Sequence, residues 1–189
     1  EKHRQELLHS LDEDLKERYT AQTDAITGLP GSIFMLDKIE DGIDRAALSH
    51  VNLGVSILRF PPELAADRVL LKEVSIALTS LNTPKVVCTK GEANEFIILY
   101  EDMTNQDILQ YAQLITDRVR MFLARFAPEK TTGLKRFFQK KKGALVLPHG
   151  ICTGIPTIES SPWEYLSTAL AALNESLNSV PAAIVRKGL

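Results

Sequence analysis

Val86-Val87-Cys88-Thr89-Lys90-Gly91-Glu92-Ala93-Asn94-Glu95-Phe96-Ile97-Ile98-Leu99-Tyr100 sets two β-rich runs about a polar break. Val86 to Cys88 and Phe96 to Tyr100 are apolar, β-branched or aromatic, and the turn formers Gly91 and Asn94 stand between them. That pattern predicts a β-hairpin. The second run shows no polar alternation, so it predicts a central strand covered on both faces of its sheet. Any chemistry the domain has, or has lost, is expected at this turn.

Outward from the hairpin, helices alternate with strands. On the upstream side, Ala65 to Leu81 reads as a helix with Val69, Leu70, Val74, Ala77, Leu78 and Leu81 inward. Val51 to Phe60 reads as a strand stopped by Pro61-Pro62. Ser32 is expected to cap an amphipathic helix carrying Ile33, Phe34, Leu36, Ile39, Ile43 and Ala47. Before it, Asp24 to Gly31 is a break, since Gly28 and Gly31 permit left-handed backbone and Pro30 cannot continue a helix. Downstream, Asn105 is expected to cap a long helix through Phe126, with Ile108, Leu109, Ala112, Ile115, Val119, Phe122 and Leu123 inward. Strands are expected at Ala144–Leu147 and Ile151–Ile155, a helix opened by Ser161 or Pro162 runs to about Leu177, and Ala183–Val185 is a last strand. One antiparallel hairpin among alternating helices and strands indicates an α/β protein of the α+β type, a mixed sheet covered by helices.

The first 23 residues differ from the rest. Leu8, Leu11 and Leu15 fall on one narrow helical stripe with a charged opposite face. Such a helix is marginal alone, so it is read as the end of a parallel dimeric coiled coil, or as packing back on its own body. The chain opens with Glu1 and is expected to be a piece of a longer protein, with a sensor domain upstream. This gives an N-terminal signalling helix over 1–23 and a globular domain over 24–189, interrupted by a basic insertion over 128–143. That insertion holds Lys130, Lys135, Arg136, Lys140, Lys141 and Lys142 around Phe137 and Phe138. It reads as a solvated loop, the alternative being a contact to phosphates, RNA or an acidic partner.

Composition narrows the classes. The chain is 44% hydrophobic and 24% charged with a net charge of -2, which suits a globular protein and not a general nucleic-acid or membrane binder. No apolar run reaches membrane-spanning length and no secretory signal is visible, so no membrane insertion of this fragment and a cytoplasmic setting are expected. Cys88 and Cys152 sit in apolar runs and read as buried thiols. His3, His9, His50 and His149 are scattered, with no spacing suited to zinc. No metal and no cofactor are expected.

Three segments in order resemble one family. Asp24-Ala25-Ile26-Thr27-Gly28-Leu29-Pro30 is similar to the Asp-x-Leu-Thr-Gly-Leu-x-Asn-Arg opening of GGDEF domains, the diguanylate cyclases of bacterial signalling. Lys90 to Phe96 resembles their Arg-x-Gly-Gly-Asp/Glu-Glu-Phe hairpin, with Glu92, Ala93, Asn94, Glu95 and Phe96 on the signature. Leu145 to Gly154 and Ala169 to Leu173 resemble the family's later strand and helix. The resemblance covers 24–186 and implies a nucleotidyl-cyclase palm-like fold preceded by a coiled-coil signalling helix.

It also implies chemistry that this chain departs from. Active relatives place two GTP-loaded domains face to face to make cyclic di-GMP, with carboxylates holding divalent metal. Arg59 falls where the resemblance implies the first metal carboxylate, a shifted register placing Ser56 or Leu58 there and no register supplying an acid, and Asn94 falls where it implies the second. Glu92 and Ala93 replace the paired glycines. Pro61 to Arg68 is too short for the guanine-binding loop, and the phosphate-binding Lys and Arg fall near Leu177 and Pro181. The product-inhibition motif falls at Thr83-Pro84-Lys85-Val86 and matches neither end. The expected function is therefore that of a catalytically inactive, degenerate GGDEF domain with no catalytic residue of its own. It would act in dimerisation, signal relay or partner binding, as a homodimer through Leu8, Leu11 and Leu15. The alternatives are a GTP or cyclic di-GMP receptor touching phosphate through Arg59 and Lys90, and a residual cyclase.

Overall fold

Leu53, Val55 and Ile57 point to one side of the first strand, Gly54, Ser56 and Leu58 to the other, and all six are buried. A strand buried on both faces belongs inside a covered sheet. The structure, a computed structural model, describes residues 23–62, 66–92, 94–130, 147–178 and 184–189. In it β1 (Leu53–Arg59) is the middle strand of five. With β2 (Val86–Lys90), β3 (Glu95–Glu101), β4 (His149–Gly154) and β5 (Ile184–Gly188), the sheet order is β2-β3-β1-β4-β5. Every pairing is antiparallel except β4 with β5. The mixed sheet is thus as expected, although β1 is its centre and β3 lies one place out.

Among the described residues, four helices cover it. α1 (Ser32–Ser49) and α4 (Pro162–Asn178) pack on the face of Leu53, Val55, Ile57, Ile97 and Leu99. α2 (Arg68–Thr79) and α3 (Asn105–Lys130) pack on the face of Leu58, Phe96, Ile98, Tyr100 and Ile151. α4 lies directly on the β4 backbone. A Cβ built on Gly150 would stand 2.1 Å from Leu173 N and 2.3 Å from Ala169 O, so only glycine fits there.

Caps set where the helices begin, and they correct several sequence readings. Asp67 accepts from Val69 N and Leu70 N, so α2 opens at Arg68. Its inward stripe becomes Leu70, Leu71, Val74 and Leu78, and Val69 turns out to solvent. Thr104, not Asn105, caps α3 through Asp107 N at 3.1 Å, and Leu109, expected inward, is exposed. Ser32 is the first residue of α1 and not its cap; Gly31 holds that place without a side-chain bond. Ser161 caps α4 reciprocally with Glu164. In the later strand region Leu147 precedes β4, and Ile155 lies beyond it and is exposed. The last strand begins at Ile184 and reaches Gly188. Calls on Leu8, Leu11, Leu15, Ala93, residues 131–143 of the basic insertion, the expected strand over Ala144 to Val146 and Ala183 lie outside the described residues.

The outer edge of β2 is closed by nearby chain. Its outward N–H groups on Val86, Cys88 and Lys90 donate to Thr83 O, Asn82 Oδ1 and Pro30 O. An edge so capped offers no donors to a second sheet. Pro30 belongs to a compact loop in which Asp24 Oδ1 accepts from Ile26 N, Thr27 N and Thr27 Oγ1. Gly28, at φ +69°, supplies the left-handed step and donates to Asp24 O. Burial pushes the Asp24 carboxyl up, but the hydrogen bonds from Thr27 and Ile26 outweigh it and hold it below the ordinary value.

A directed chain of hydrogen bonds runs under α3. Thr116 Oγ1 donates to Ala112 O, so its oxygen takes the proton of His149 Nδ1. His149 Nε2 then accepts from Ser56 Oγ, whose oxygen accepts from the Tyr100 hydroxyl. Each group is satisfied with the imidazole neutral, and its burial lowers the His149 pKa to about 3. The histidine read as scattered is therefore a core residue. Cys88 and Cys152 are buried thiols, as expected, with burial pushing Cys88 up to about 12 and Cys152 to about 11.

Candidate functional site

The end of β1 meets the hairpin turn at three places. In the β1–β3 register Arg59 lies opposite Glu95. Arg59 Nε and Nη2 both donate to Glu95 Oε1, at 2.9 and 2.5 Å, with the two side chains only 26% and 18% exposed. One residue on, Phe60 N donates to Asn94 O at 2.8 Å, and the Asn94 carboxamide Nδ2 donates back to Phe60 O. The Phe60 and Phe96 rings meet edge to face with centroids 5.2 Å apart. On the opposite side Arg59 N donates to Pro148 O. The tip of β1 is thus held from both neighbouring strands.

Lys90 is turned into the hairpin. It is 6% exposed, and its Nζ donates to Gly91 O and Glu95 O while standing 5.6 Å from the Phe96 ring centroid. Burial lowers its pKa, against the opposing fields of Asp24 and Glu95. The turn itself closes through Glu95 N to Glu92 O at 2.8 Å. Of the signature positions, Glu92, Asn94, Glu95 and Phe96 are brought together here. Phe96 is core, Asn94 is spent on the backbone, and Arg59 and Lys90 are both engaged within the protein.

Beside the hairpin, a cleft of about 570 Å³ runs between α1 and α4. Its floor is Met35, Ile57 and Ile97, and its α4 wall is Trp163, Leu166 and Leu170. Glu92, Glu95 and Glu164 also line it, and among the described residues none lining it is Lys, Arg or His. The sequence reading did not reach the α4 wall. The signal was present: α4 carries the buried stripe Tyr165, Ala169, Ala172 and Leu173 and, beside it, the apolar set Trp163, Leu166 and Leu170. Among the described residues no group of three His, Cys, Asp or Glu side chains is placed to hold a metal ion. No helix among them is long and apolar enough to cross a membrane.

Comparison with solved structures places the fold. The coiled coil and GGDEF domain of DgcB from Caulobacter crescentus, solved with c-di-GMP, superposes with a TM-score of 0.74 at 14% identity, covering 97% of this chain and 95% of that one. Diguanylate cyclase SiaD from Pseudomonas aeruginosa, in complex with its activator SiaC, gives 0.68 at 19% identity, over 98% of this chain and 68% of that one. The S helix-GGDEF-EAL portion of Vibrio cholerae LapD, bound to c-di-GMP, gives 0.70 at 16% identity, over 96% and 40%. At these identities the likeness is one of fold: a mixed five-stranded sheet with flanking helices of the GGDEF type. No family model matches the sequence. A search of curated proteins finds no match either.

Proposed function

We propose that this domain is a degenerate GGDEF domain that makes no cyclic di-GMP and serves a bacterial signalling protein in dimerisation, signal relay or partner binding. The observation that carries this reading is the ion pair of Arg59 with Glu95. The resemblance implies a metal-holding carboxylate at Arg59, and a guanidinium there repels a cation and occupies the neighbouring carboxylate. Asn94, at the second implied metal position, points its Nδ2 donor at the Phe60 carbonyl and so offers that carbonyl no competing lone pair. These residues do not fit a divalent cation. Glu92 and Glu164 of the cleft add to the case, since a triphosphate would meet like charge there.

The test is incubation with GTP and Mg²⁺ or Mn²⁺, with the product separated by chromatography. No cyclic di-GMP is expected, and measurable turnover overturns the proposal. A second reading, a non-catalytic nucleotide receptor, draws on the neighbours solved with c-di-GMP. Calorimetric titration with GTP and with cyclic di-GMP decides it: heat at micromolar ligand supports a receptor, and silence removes it.

A further inference from the structure

Trp163, Leu166 and Leu170 recur along α4 at steps of three and four residues, beside the stripe that α4 already buries in the core. Trp163 is 67% exposed and Leu170 40% exposed. An apolar set of this kind, set over a floor of Met35, Ile57 and Ile97, marks an interaction surface. Its charge is one-sided: Glu92, Glu95 and Glu164 line the cleft, the Arg59 guanidinium is paired with Glu95, and the described lining holds no Lys, Arg or His.

Backbone chemistry decides the form of the occupant. The floor strands β1 and β3 are each paired on both sides. The cleft therefore presents no free sheet edge, and an extended peptide laid in it would leave its own N–H and C=O groups unpaired against apolar side chains. A helix satisfies those groups internally.

We propose that this cleft receives an amphipathic helix of a partner protein, with apolar side chains laid on Trp163, Leu166 and Leu170 and with Lys or Arg residues set against Glu92 and Glu164. The proposal rests on the reading of the domain as a partner-binding module and names the surface that does the binding.

Trp163 is the single tryptophan of the chain, so it reports on the cleft without a label. The probe is a synthetic Leu/Lys amphipathic helix of about five turns, and its counterpart has the same apolar pattern with Glu in place of Lys. The Leu/Lys helix is expected to shift Trp163 emission to shorter wavelength, and the Leu/Glu helix to leave it unmoved. Leu170→Asp, at a partly exposed position, is expected to weaken binding about tenfold or more with the urea midpoint of the chain unchanged, and Leu170→Met to retain binding. Leu48→Asp, at an 81% exposed position outside the cleft, is expected to change nothing. Equal affinity of the Leu170→Asp and native chains, or no Trp163 shift at saturating Leu/Lys helix, overturns the proposal. So does a Trp163 shift that follows protein concentration alone together with a doubled mass by light scattering, which would assign the cleft to a second copy. Turnover of GTP in the same preparation would sink the parent reading, whereas absent turnover with absent peptide binding sinks this inference alone.

Discussion

Asn94 and Phe60 exchange two hydrogen bonds: the Phe60 N–H donates to Asn94 O, and the Asn94 carboxamide donates back to the Phe60 carbonyl. An amide suits this place because it can donate where a carboxylate can only accept. Asn94→Asp would set lone pairs against lone pairs at a half-buried position. The expected loss is about 1–3 kcal/mol in denaturant unfolding at neutral pH, easing in acid as the new carboxyl takes a proton. Unchanged stability would show that the Nδ2 contact contributes nothing.

The Arg59–Glu95 pair supports a second prediction. Both side chains are mostly shielded, so truncating one leaves the other charge poorly solvated. Arg59→Ala is expected to cost about 1–3 kcal/mol, more than an exposed pair would. Arg59→Asp sets two carboxylates face to face and is expected to melt lower still, with added Mn²⁺ restoring part of the loss. The native chain should melt at one temperature with or without Mn²⁺. A native melt raised by Mn²⁺ would contradict the reading of this site.

His149 sets a pH dependence. Its folded pKa lies near 3 against an unfolded value of 6.5, so between these the unfolded chain binds the additional proton. Stability therefore rises with pH across that window and levels off above it. From about pH 6.5 to pH 5 the loss on acidification is about 2 kcal/mol. His149→Gln should flatten that slope, read from urea midpoints. Asp24, held below its ordinary value, acts in a lower window: its contribution is present above the usual carboxylate pKa and is lost as pH falls from there through the lowered folded value.

Gly150→Ala tests the contact of α4 with β4. The added carbon would meet Leu173 N and Ala169 O, which are backbone and cannot swing aside. A loss of about 3 kcal/mol or more is expected, or failure to fold. Gly28→Ala is milder, since its Cβ meets nothing within 4 Å, and its cost is only the left-handed φ, about 1 kcal/mol.

Local patterns were enough for the hairpin, the strand over Val51 to Phe60, the Asp24–Pro30 break and the alternation of helices with strands. Side-chain periodicity, glycine and proline act over a few residues, so they can be read along the chain. The flanks of a helix stripe were less legible. In α2 the line Leu70, Val74 and Leu78 lies inward as read, but of the two positions flanking Leu70 the buried one is Leu71, while Val69 is exposed, because the way the helix lies on the sheet decides which flank is covered. The resemblance at the hairpin pointed to Arg59, Lys90 and Asn94, but not to what each would hold. The Arg59–Glu95 pair joins residues 36 apart through the β1–β3 register. The chain from Tyr100 through Ser56 and His149 to Thr116 joins the three strands β3, β1 and β4 to α3, and the cleft is lined by residues of α1, α4, β1 and the hairpin together. Such contacts depend on strand pairing and helix placement between distant segments, which no window of sequence contains; the partners of each charge are decided only when the sheet closes.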